Sequence, residues 1–254
     1  MINTQKMGKG SPVVFLHGLF GSGENLASLA RRLPEGYQAI LADLPSHGGS
    51  SDTEDMAYDS IADILADELL EPLNEPVILV GHSMGGKAAM MLALRYSSQV
   101  RGAVFLDIAP VSYPDKHSGI FDAMQAVTRA APASRSEADA VLSSHISDPH
   151  VRGFLLKNFV QGQVWRIPVE QIAAQYPQIR GWDMPEGSSG YHGPSLCIYG
   201  QKSEYVQENV HRTEFEKWFP RIQMTAVPGA EHWLHATHTA QVSEELNRFL
   251  LSVQ

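Results

Sequence analysis

Short apolar runs alternate with longer amphipathic segments along the first 110 residues of the chain. Four of these runs predict buried strands: Pro12–His17, Tyr37–Asp43, Pro76–Gly81 and Gly102–Asp107. The segments between them predict helices: Ser22–Leu33, Tyr58–Leu73 and Met84–Arg95. Strands that alternate with helices in this way favour an α/β fold, with a mostly parallel central sheet and helices on both faces.

The pattern changes between residues 111 and 185, where no strand is predicted. Helical spacing there marks four short segments: Ile120–Arg129, Ser136–Ser144, Pro149–Phe159 and Pro168–Tyr176. Asp148 before Pro149 is typical of a helix start, since proline fits the first helical position. Ser136 with Asp139 resembles a capping box. This stretch therefore predicts a helical insert.

The strand pattern returns after the insert. The later segments are the strands Ser195–Tyr199 and Gln223–Val227 and the closing helix Thr239–Leu251. We therefore expect an α/β core formed by residues 1–110 and 186–254, and a helical cap formed by residues 111–185.

Composition describes an ordinary globular protein, with 43% hydrophobic and 19% charged residues among 254. The net charge is −9 and no basic run occurs, so nucleic acid is not an expected partner. Cys197 is the only cysteine, which excludes an intramolecular disulfide and fits a reducing compartment. No signal peptide is recognisable, and no run approaches the roughly 20 apolar residues that span a bilayer. We expect a cytoplasmic protein of undetermined oligomeric state.

The first chemical motif is Gly81-His82-Ser83-Met84-Gly85, which matches G-x-S-x-G. A buried strand precedes it and a helix follows it, as a nucleophile elbow requires. This context makes Ser83 the candidate nucleophile. The Met84 backbone N–H, at the positive end of the helix, is one expected donor to an oxyanion. The second donor should come from the loop after the first strand, where Leu19 is the better candidate and Phe20 the alternative.

A serine nucleophile at neutral pH needs a base, usually histidine. His232, in the segment Gly229-Ala230-Glu231-His232-Trp233, lies between the last strand and the last helix, where this fold delivers its base. His235 and His238 are expected at a helix start near solvent. His17 is expected to be structural, and His47 to lie in a rim loop.

The acid is the unusual part of the pattern. An aspartate is expected after the strand Ser195–Tyr199, but Ser203 occupies that position and cannot carry the charge. Glu204 is adjacent and is one replacement. Asp107 is the other, and the favoured one, because it ends the strand that follows the nucleophile helix.

Several motifs together resemble the α/β-hydrolase superfamily and, within it, the bacterial YbfF-type esterases. They are HGLFGS, DLPSHGGS, GHSMGGKA, FLDIAPV and GAEHW, and the resemblance runs over nearly the whole chain. It implies hydrolysis of carboxylic esters or acyl-CoA thioesters, and an acid on the strand after the nucleophile, which corresponds to Asp107. The N-terminal arm is shorter than in this family, so one of the first strands is expected to be missing or abbreviated.

The resulting hypothesis is a Ser83–His232–Asp107 hydrolase that works through an acyl-enzyme, without metal or organic cofactor, on a small-molecule ester or thioester. Phe20 and Trp233 are expected to wall the substrate pocket. Cap side chains are expected to line an acyl pocket, namely Phe121, Met124, Phe154, Phe159 and Trp165. Two alternatives remain open: a cofactor-free lyase resembling the menaquinone-pathway synthase, and a non-catalytic ligand receptor.

Overall fold

A computed structural model describes residues 1–185 and 187–253 of the chain. Its strands are β1 (Thr4–Gly8), β2 (Gly10–Leu16), β3 (Gly36–Ala42), β4 (Val77–His82), β5 (Val100–Leu106), β6 (Phe159–Val160), β7 (Val164–Trp165), β8 (Ser195–Gly200) and β9 (Ile222–Val227). Within these residues one seven-stranded sheet has the order β1-β3-β2-β4-β5-β8-β9. All its neighbouring strands are parallel except β1 and β3. The predicted α/β class, with a mostly parallel sheet, is confirmed.

The helices surround this sheet. They are α1 (Ala27–Ala30), α2 (Tyr58–Leu65), α3 (Met84–Arg95), α4 (Ser118–Ala130), α5 (Arg135–Ser143), α6 (Pro149–Leu155), α7 (Val169–Arg180), α8 (Glu208–Trp218), α9 (Leu234–Thr237) and α10 (Thr239–Ser252). No helix in the described part of the chain combines the length and apolarity needed to cross a membrane.

The centre of the sheet is apolar on both faces, as a parallel sheet covered by helices requires. Val13, Phe15, Leu79, Val80 and Phe105 are all completely buried. Eleven of the twelve residues of α3 are buried as well. A helix that is apolar on every side packs inside the protein rather than on its surface, and α3 is held between α2 and the sheet strands.

The register of β4 and β5 places Ser83 and Asp107 at the same edge of the sheet. His82 pairs with Leu106, so the residues that follow them leave the sheet side by side at its carboxyl edge. The Ser83 N–H donates a hydrogen bond to the Leu106 carbonyl (3.2 Å), and the Asp107 N–H donates one to the Ile198 carbonyl on β8 (2.9 Å). These contacts tie the ends of three neighbouring strands together.

The structure departs from the predicted elements in several places. Strand β1 was not predicted because its side chains are nearly all exposed and show no apolar run. It is the short first strand and pairs antiparallel with β3. Helix α8 was also missed, since only Phe215 of its residues is buried. The predicted absence of strands between residues 111 and 185 was wrong, because β6 and β7 form a small antiparallel hairpin there.

The helix caps in this insert were predicted with mixed success. The Asp148 side chain accepts a hydrogen bond from the His150 N–H and Pro149 opens α6, as expected. The Ser136–Asp139 box was wrong: Ser134 is the cap of α5 and accepts from the Glu137 N–H. Helices α4 to α7 all lie within residues 111–185. The division into core and cap stays a prediction, and residues 186 and 254 of its second core segment lie outside the described residues.

Candidate active site

Ser83 lies in a sharp turn between β4 and α3. Its backbone has φ 53° and ψ −119°, in the positive-φ region that costs a residue with a side chain of order 1–3 kcal/mol. The turn is possible because glycines allow close approach. A Cβ on Gly81 would lie 2.2 Å from the Gly85 carbonyl oxygen, and one on Gly85 would lie 2.2 Å from that of Leu16. The half-buried Ser83 side chain is thereby presented at the edge of the sheet.

Asp107 and His232 are in direct contact. The His232 Nδ1–H donates to Asp107 Oδ2 across 2.7 Å, and the Asp107 side chain is completely buried. The Gly200 N–H donates to the other carboxylate oxygen at 3.0 Å. In the neutral imidazole, a proton on Nδ1 makes Nε2 the hydrogen-bond acceptor.

Ser203 also contacts the carboxylate. Its hydroxyl donates a hydrogen bond to Asp107 Oδ2, and its oxygen accepts the Tyr205 N–H at 3.1 Å. Glu204, the alternative acid, points away: its side chain is 82% exposed and forms an ion pair with Lys116 at 2.9 Å. The structure therefore brings Asp107, and not Glu204, to His232.

Two aromatic rings hold His232 in place. The Tyr205 ring stacks on the His232 ring, with centroids 3.8 Å apart. The His82 ring donates from Nε2 to the His232 carbonyl oxygen at 2.9 Å. Burial, with smaller contributions from the neighbouring His235 and His232, holds the pKa of His82 well below its usual value, so this ring is neutral. Ser83 and His232 form no hydrogen bond with each other in the described structure, and such contacts often tighten only when substrate binds.

Two backbone N–H groups beside Ser83 are available to an oxyanion. Among the described residues, neither the Leu19 N–H nor the Met84 N–H donates a hydrogen bond. The Phe20 N–H, the alternative to Leu19, is engaged: it donates to His47 Nε2 at 3.1 Å. The arrangement favours Leu19 over Phe20 for that position.

Two buried imidazoles support the loop that carries Leu19. His17 donates to the Gly18 carbonyl at 2.8 Å and accepts from the Leu44 N–H at 2.9 Å. Burial lowers the pKa of His17 to about 4, and burial together with the charge of His17 lowers that of His47 to about 3. The expectation that His17 is structural agrees with these contacts. The expectation that His47 lies on the rim was wrong, since it is 1% exposed.

A cavity of about 40 Å³ opens beside Ser83. We call it the Ser83 cavity, and its lining residues are Leu19, Tyr58, Ser83, Met84, Lys87, Ile108, Tyr113, Pro114, Lys116, His117, Tyr176, Ile179, Arg180 and Tyr205. Larger surface grooves exist, including one of about 640 Å³ beside α8, but that groove contains no residue of the Ser83, His232 and Asp107 group.

The predicted pocket residues do not line the Ser83 cavity. Four of the side chains expected there pack elsewhere. Phe121 contacts Phe20 edge-to-face (5.1 Å between centroids), and Phe20 is itself buried. Trp233 packs against Phe154 (5.3 Å). These aromatic contacts lie outside the Ser83 cavity, and the assignment of these residues to a substrate pocket stays a prediction.

The remaining histidines after β9 divide between core and surface. His235 is buried, which corrects the expectation of a solvent-facing position, and its burial lowers its pKa to about 4. His238 precedes α10 and is half-buried. Within the described residues, no group of three or more His, Cys, Asp or Glu side chains is arranged to hold a metal ion.

Sequence reasoning missed two residues of this site. Tyr205 stacks on His232 but lies in a loop without a motif. Lys87 lines the Ser83 cavity and is 1% exposed. A signal for Lys87 was present: it is the one charged residue among the apolar positions of α3 before Arg95, and a lone charge in such a helix needs an explanation.

Comparison with known proteins gives consistent findings. A family model for the alpha/beta hydrolase fold matches residues 11–239. Esterase YbfF from Escherichia coli (strain K12) is 38% identical over 247 residues, 97% of this chain and 95% of its own length. The mouse (Mus musculus) sn-1-specific diacylglycerol lipase ABHD11 is 36% identical over 249 residues, 94% of this chain and 80% of its own. The solved structure of a marine microorganism esterase has a TM-score of 0.91, with 31% identity and 98% coverage of both chains.

Proposed function

The chain belongs to the α/β-hydrolase fold family, as its motifs predict, and on that premise we propose that it is a serine esterase with Ser83, His232 and Asp107 as its catalytic triad. Its relatives named as esterases and a lipase support hydrolase activity. The observation that carries the finer proposal is the hydrogen bond of 2.7 Å between His232 and the buried Asp107, at the sheet edge where Ser83 leaves β4.

In the first half of the reaction, His232 Nε2 takes the proton of the Ser83 hydroxyl as Ser83 Oγ bonds to the ester carbonyl carbon. The carbonyl oxygen becomes an oxyanion and accepts hydrogen bonds from the Leu19 and Met84 N–H groups. The ester C–O bond then breaks, and His232 gives its proton to the departing alcohol. Ser83 is left as an acyl ester.

In the second half, a water molecule takes the place of the alcohol. His232 accepts a proton from the water as its oxygen bonds to the acyl carbon, and the same two N–H groups hold the second oxyanion. When the bond to Ser83 Oγ breaks, His232 returns the proton to that oxygen. A carboxylic acid leaves, and the protein is restored.

Asp107 keeps the proton of His232 on Nδ1 and stabilises the imidazolium that forms in each half. The hydrogen bonds from Gly200 and Ser203 hold its carboxylate oxygens in fixed positions. Tyr205 and His82 restrict the His232 ring and backbone from two sides. The base therefore meets Ser83 with little loss of orientational freedom.

The size of the Ser83 cavity favours a short acyl group. With a volume of about 40 Å³, the Ser83 cavity is too small in this structure to enclose a long acyl chain. We propose short-chain carboxylic esters as preferred substrates, and acyl-CoA thioesters and diacylglycerols as further candidates that the relatives and motifs suggest.

The test is a series of 4-nitrophenyl esters of increasing acyl length, measured with acyl-CoAs and a diacylglycerol alongside. The Ser83→Ala protein is the control. Turnover that requires Ser83 and decreases with chain length is expected. A burst of nitrophenol equal to the protein concentration would show that an acyl-enzyme accumulates.

Two outcomes contradict the proposal. Turnover without acylation of Ser83, judged by intact mass and a fluorophosphonate probe, favours the lyase alternative. Neither labelling nor turnover favours a ligand receptor.

A further inference from the structure

Lys87 is a buried amine without a carboxylate partner. It lies on α3, one turn after Ser83, and is 1% exposed. Its ammonium group donates to the carbonyl oxygens of Arg180 (3.0 Å) and Gly181 (2.6 Å) at the end of α7. Among the described residues it forms no ion pair with a carboxylate. Buried charges in proteins are nearly always paired, so this one is an exception.

The wall of the Ser83 cavity as a whole is positive. Lys87, Lys116 and Arg180 line it, and no aspartate or glutamate does. Lys116 is compensated by Glu204 outside the cavity, whereas Arg180 also has no ion pair within the described residues. This is notable in a chain with a net charge of −9, where acids outnumber Lys and Arg by 28 to 19.

A purely structural role explains only part of the position of Lys87. The end of a helix carries roughly half a negative charge, which attracts an ammonium group. Two carbonyls take two of its three N–H donors. The rings of Tyr58 and Tyr113 lie 5.6 and 4.9 Å from its nitrogen and add a weaker attraction. One of its three N–H donors has no acceptor among the described residues, and Lys87 lines the cavity that Ser83 also lines.

We propose that the Ser83 cavity binds a carboxylate carried on the acyl part of the substrate, with the Lys87 ammonium as its counter-charge; this inference rests on the proposed esterase function. The acyl part, rather than the alcohol, is assigned to this cavity because it stays on Ser83 after the alcohol has left and needs a site there. The small volume restricts the spacer between the two carbonyl carbons to a few atoms. The substrate class is a half-ester of a short dicarboxylic acid.

The protonation of Lys87 is consistent with this assignment. Burial lowers its pKa to about 7, so in the free protein the ammonium is only partly formed at neutral pH. A carboxylate in the Ser83 cavity would favour the charged form and raise that pKa. An anionic substrate would therefore bind with uptake of a proton, whereas a neutral ester would not.

The experiment compares two esters of one length, mono-(4-nitrophenyl) succinate and 4-nitrophenyl butyrate, after subtraction of the rate with Ser83→Ala protein. The half-ester is expected to have the higher kcat/KM, and in Lys87→Met the ratio of the two kcat/KM values should fall at least about tenfold. Lys217→Met, which removes an exposed lysine on α8, is the matched control and should keep the wild-type ratio.

Two further arms keep the result interpretable. An ester with its carboxylate on the alcohol side, 4-carboxyphenyl butyrate, should show no preference that depends on Lys87. A second arm uses only the wild-type protein, in case Lys87→Met does not fold. It compares succinate with butyrate as competitive inhibitors of the hydrolysis of 4-nitrophenyl butyrate, and succinate is expected to inhibit more strongly.

Equal kcat/KM values for the two esters, inhibition by succinate no stronger than by butyrate, or a Lys87-dependent preference for the alcohol-side carboxylate would each overturn the inference. If neither ester is hydrolysed in a Ser83-dependent way, the esterase proposal itself fails. Calorimetric binding of succinate to wild type and Lys87→Met then decides separately whether the cavity is an anion site.

Discussion

Asp107 and Lys87 are two buried ionisable side chains next to Ser83 with opposite charges and very different surroundings. Three donors serve the Asp107 carboxylate: the Gly200 N–H, the Ser203 hydroxyl and the His232 ring. Lys87 has two carbonyl acceptors and no anion. The Asp107 carboxylate has all three donors in the protein without substrate, so it needs no ligand to complete its surroundings. On the inference drawn above, Lys87 acquires its counter-ion only when an anionic substrate binds.

The largest expected effect comes from removing the partnered charge. Asp107→Asn should lower kcat by about 10³–10⁴-fold, because asparagine cannot hold the His232 proton on Nδ1 or stabilise the imidazolium. Glu204→Gln should change kcat less than about twofold, since exposed ion pairs contribute little. Steady-state rates on a short ester measure both. Full activity in Asp107→Asn, or its loss in Glu204→Gln, would refute the assignment of the acid.

The next effect extends the comparison to buried groups that carry no charge. His17 and His47 have native pKa values of about 4 and about 3, below the unfolded value of 6.5. The unfolded state therefore binds more protons than the native state below pH 6.5, and stability is lost as the pH falls. Lowering the pH from 7 to 5 should therefore decrease the free energy of unfolding by about 2 kcal/mol for each of these histidines.

Urea unfolding at the two pH values measures this loss. His47→Asn should show a smaller decrease between pH 7 and pH 5 than wild type, whereas the exposed His150→Gln should show the same decrease. A free energy of unfolding that is equal at pH 7 and pH 5 would show that these imidazoles are not held neutral.

The unpartnered charge should respond to pH near neutrality. With a pKa of about 7 for Lys87, the preference for the half-ester over the neutral ester should fall about tenfold between pH 6 and pH 8. Changes in the shared base His232 cancel in this ratio, since the same protein hydrolyses both esters. If the ratio of the two kcat/KM values is constant between pH 6 and pH 8, Lys87 does not take part in recognising the carboxylate.

Other groups around the Ser83 cavity do not produce the same signal. The titratable side chains that face Lys87 or share its cavity are Tyr58, Tyr113, Lys116, His117, Tyr176, Arg180 and Tyr205. Burial lowers the pKa of His117 to about 4 and raises that of Tyr205 to about 12, both outside this range. Burial also raises the pKa of Tyr58, Tyr113 and Tyr176 above their usual value.

The smallest effect tests how much one partner of Asp107 contributes. Ser203→Ala removes the hydroxyl donor and leaves the Gly200 and His232 bonds in place. A hydrogen bond to a charged group is worth about 1.5 kcal/mol or more, but a water molecule can replace the hydroxyl in part, so a decrease of about fivefold in kcat is expected. An unchanged kcat would show that two donors suffice.

Much of this arrangement is visible in the sequence because it depends on strong local patterns. The central strands are continuous apolar runs, and Gly81 and Gly85 on either side of Ser83 indicate a tight strand-to-helix turn. The preference for Asp107 over Glu204 rested on strand adjacency and on the family resemblance, and the His232–Asp107 contact agrees with it.

What the sequence did not predict depends on tertiary burial. Strand β1 and helix α8 carry few buried residues, so they lack the periodicity that marks other elements. The lining of the Ser83 cavity was not predicted, because a pocket was sought among apolar side chains, whereas lysine, arginine and tyrosine form much of this wall. Lys87 donates to carbonyl oxygens at the end of α7, a contact between residues more than 90 positions apart that the sequence does not reveal.

The hydrogen bond between Ser203 and Asp107 also bears on how such a protein can change over evolutionary time. Position 203 is where an aspartate was expected, and its side chain already touches the carboxylate that serves His232. We therefore expect that an aspartate at position 203 can serve His232 in place of Asp107, so that two substitutions would move the acid from the end of β5 to the loop after β8. Adding Ser203→Asp to Asp107→Asn tests this exchange, and partial recovery of turnover is expected. No recovery would show that only an acid at position 107 supports His232.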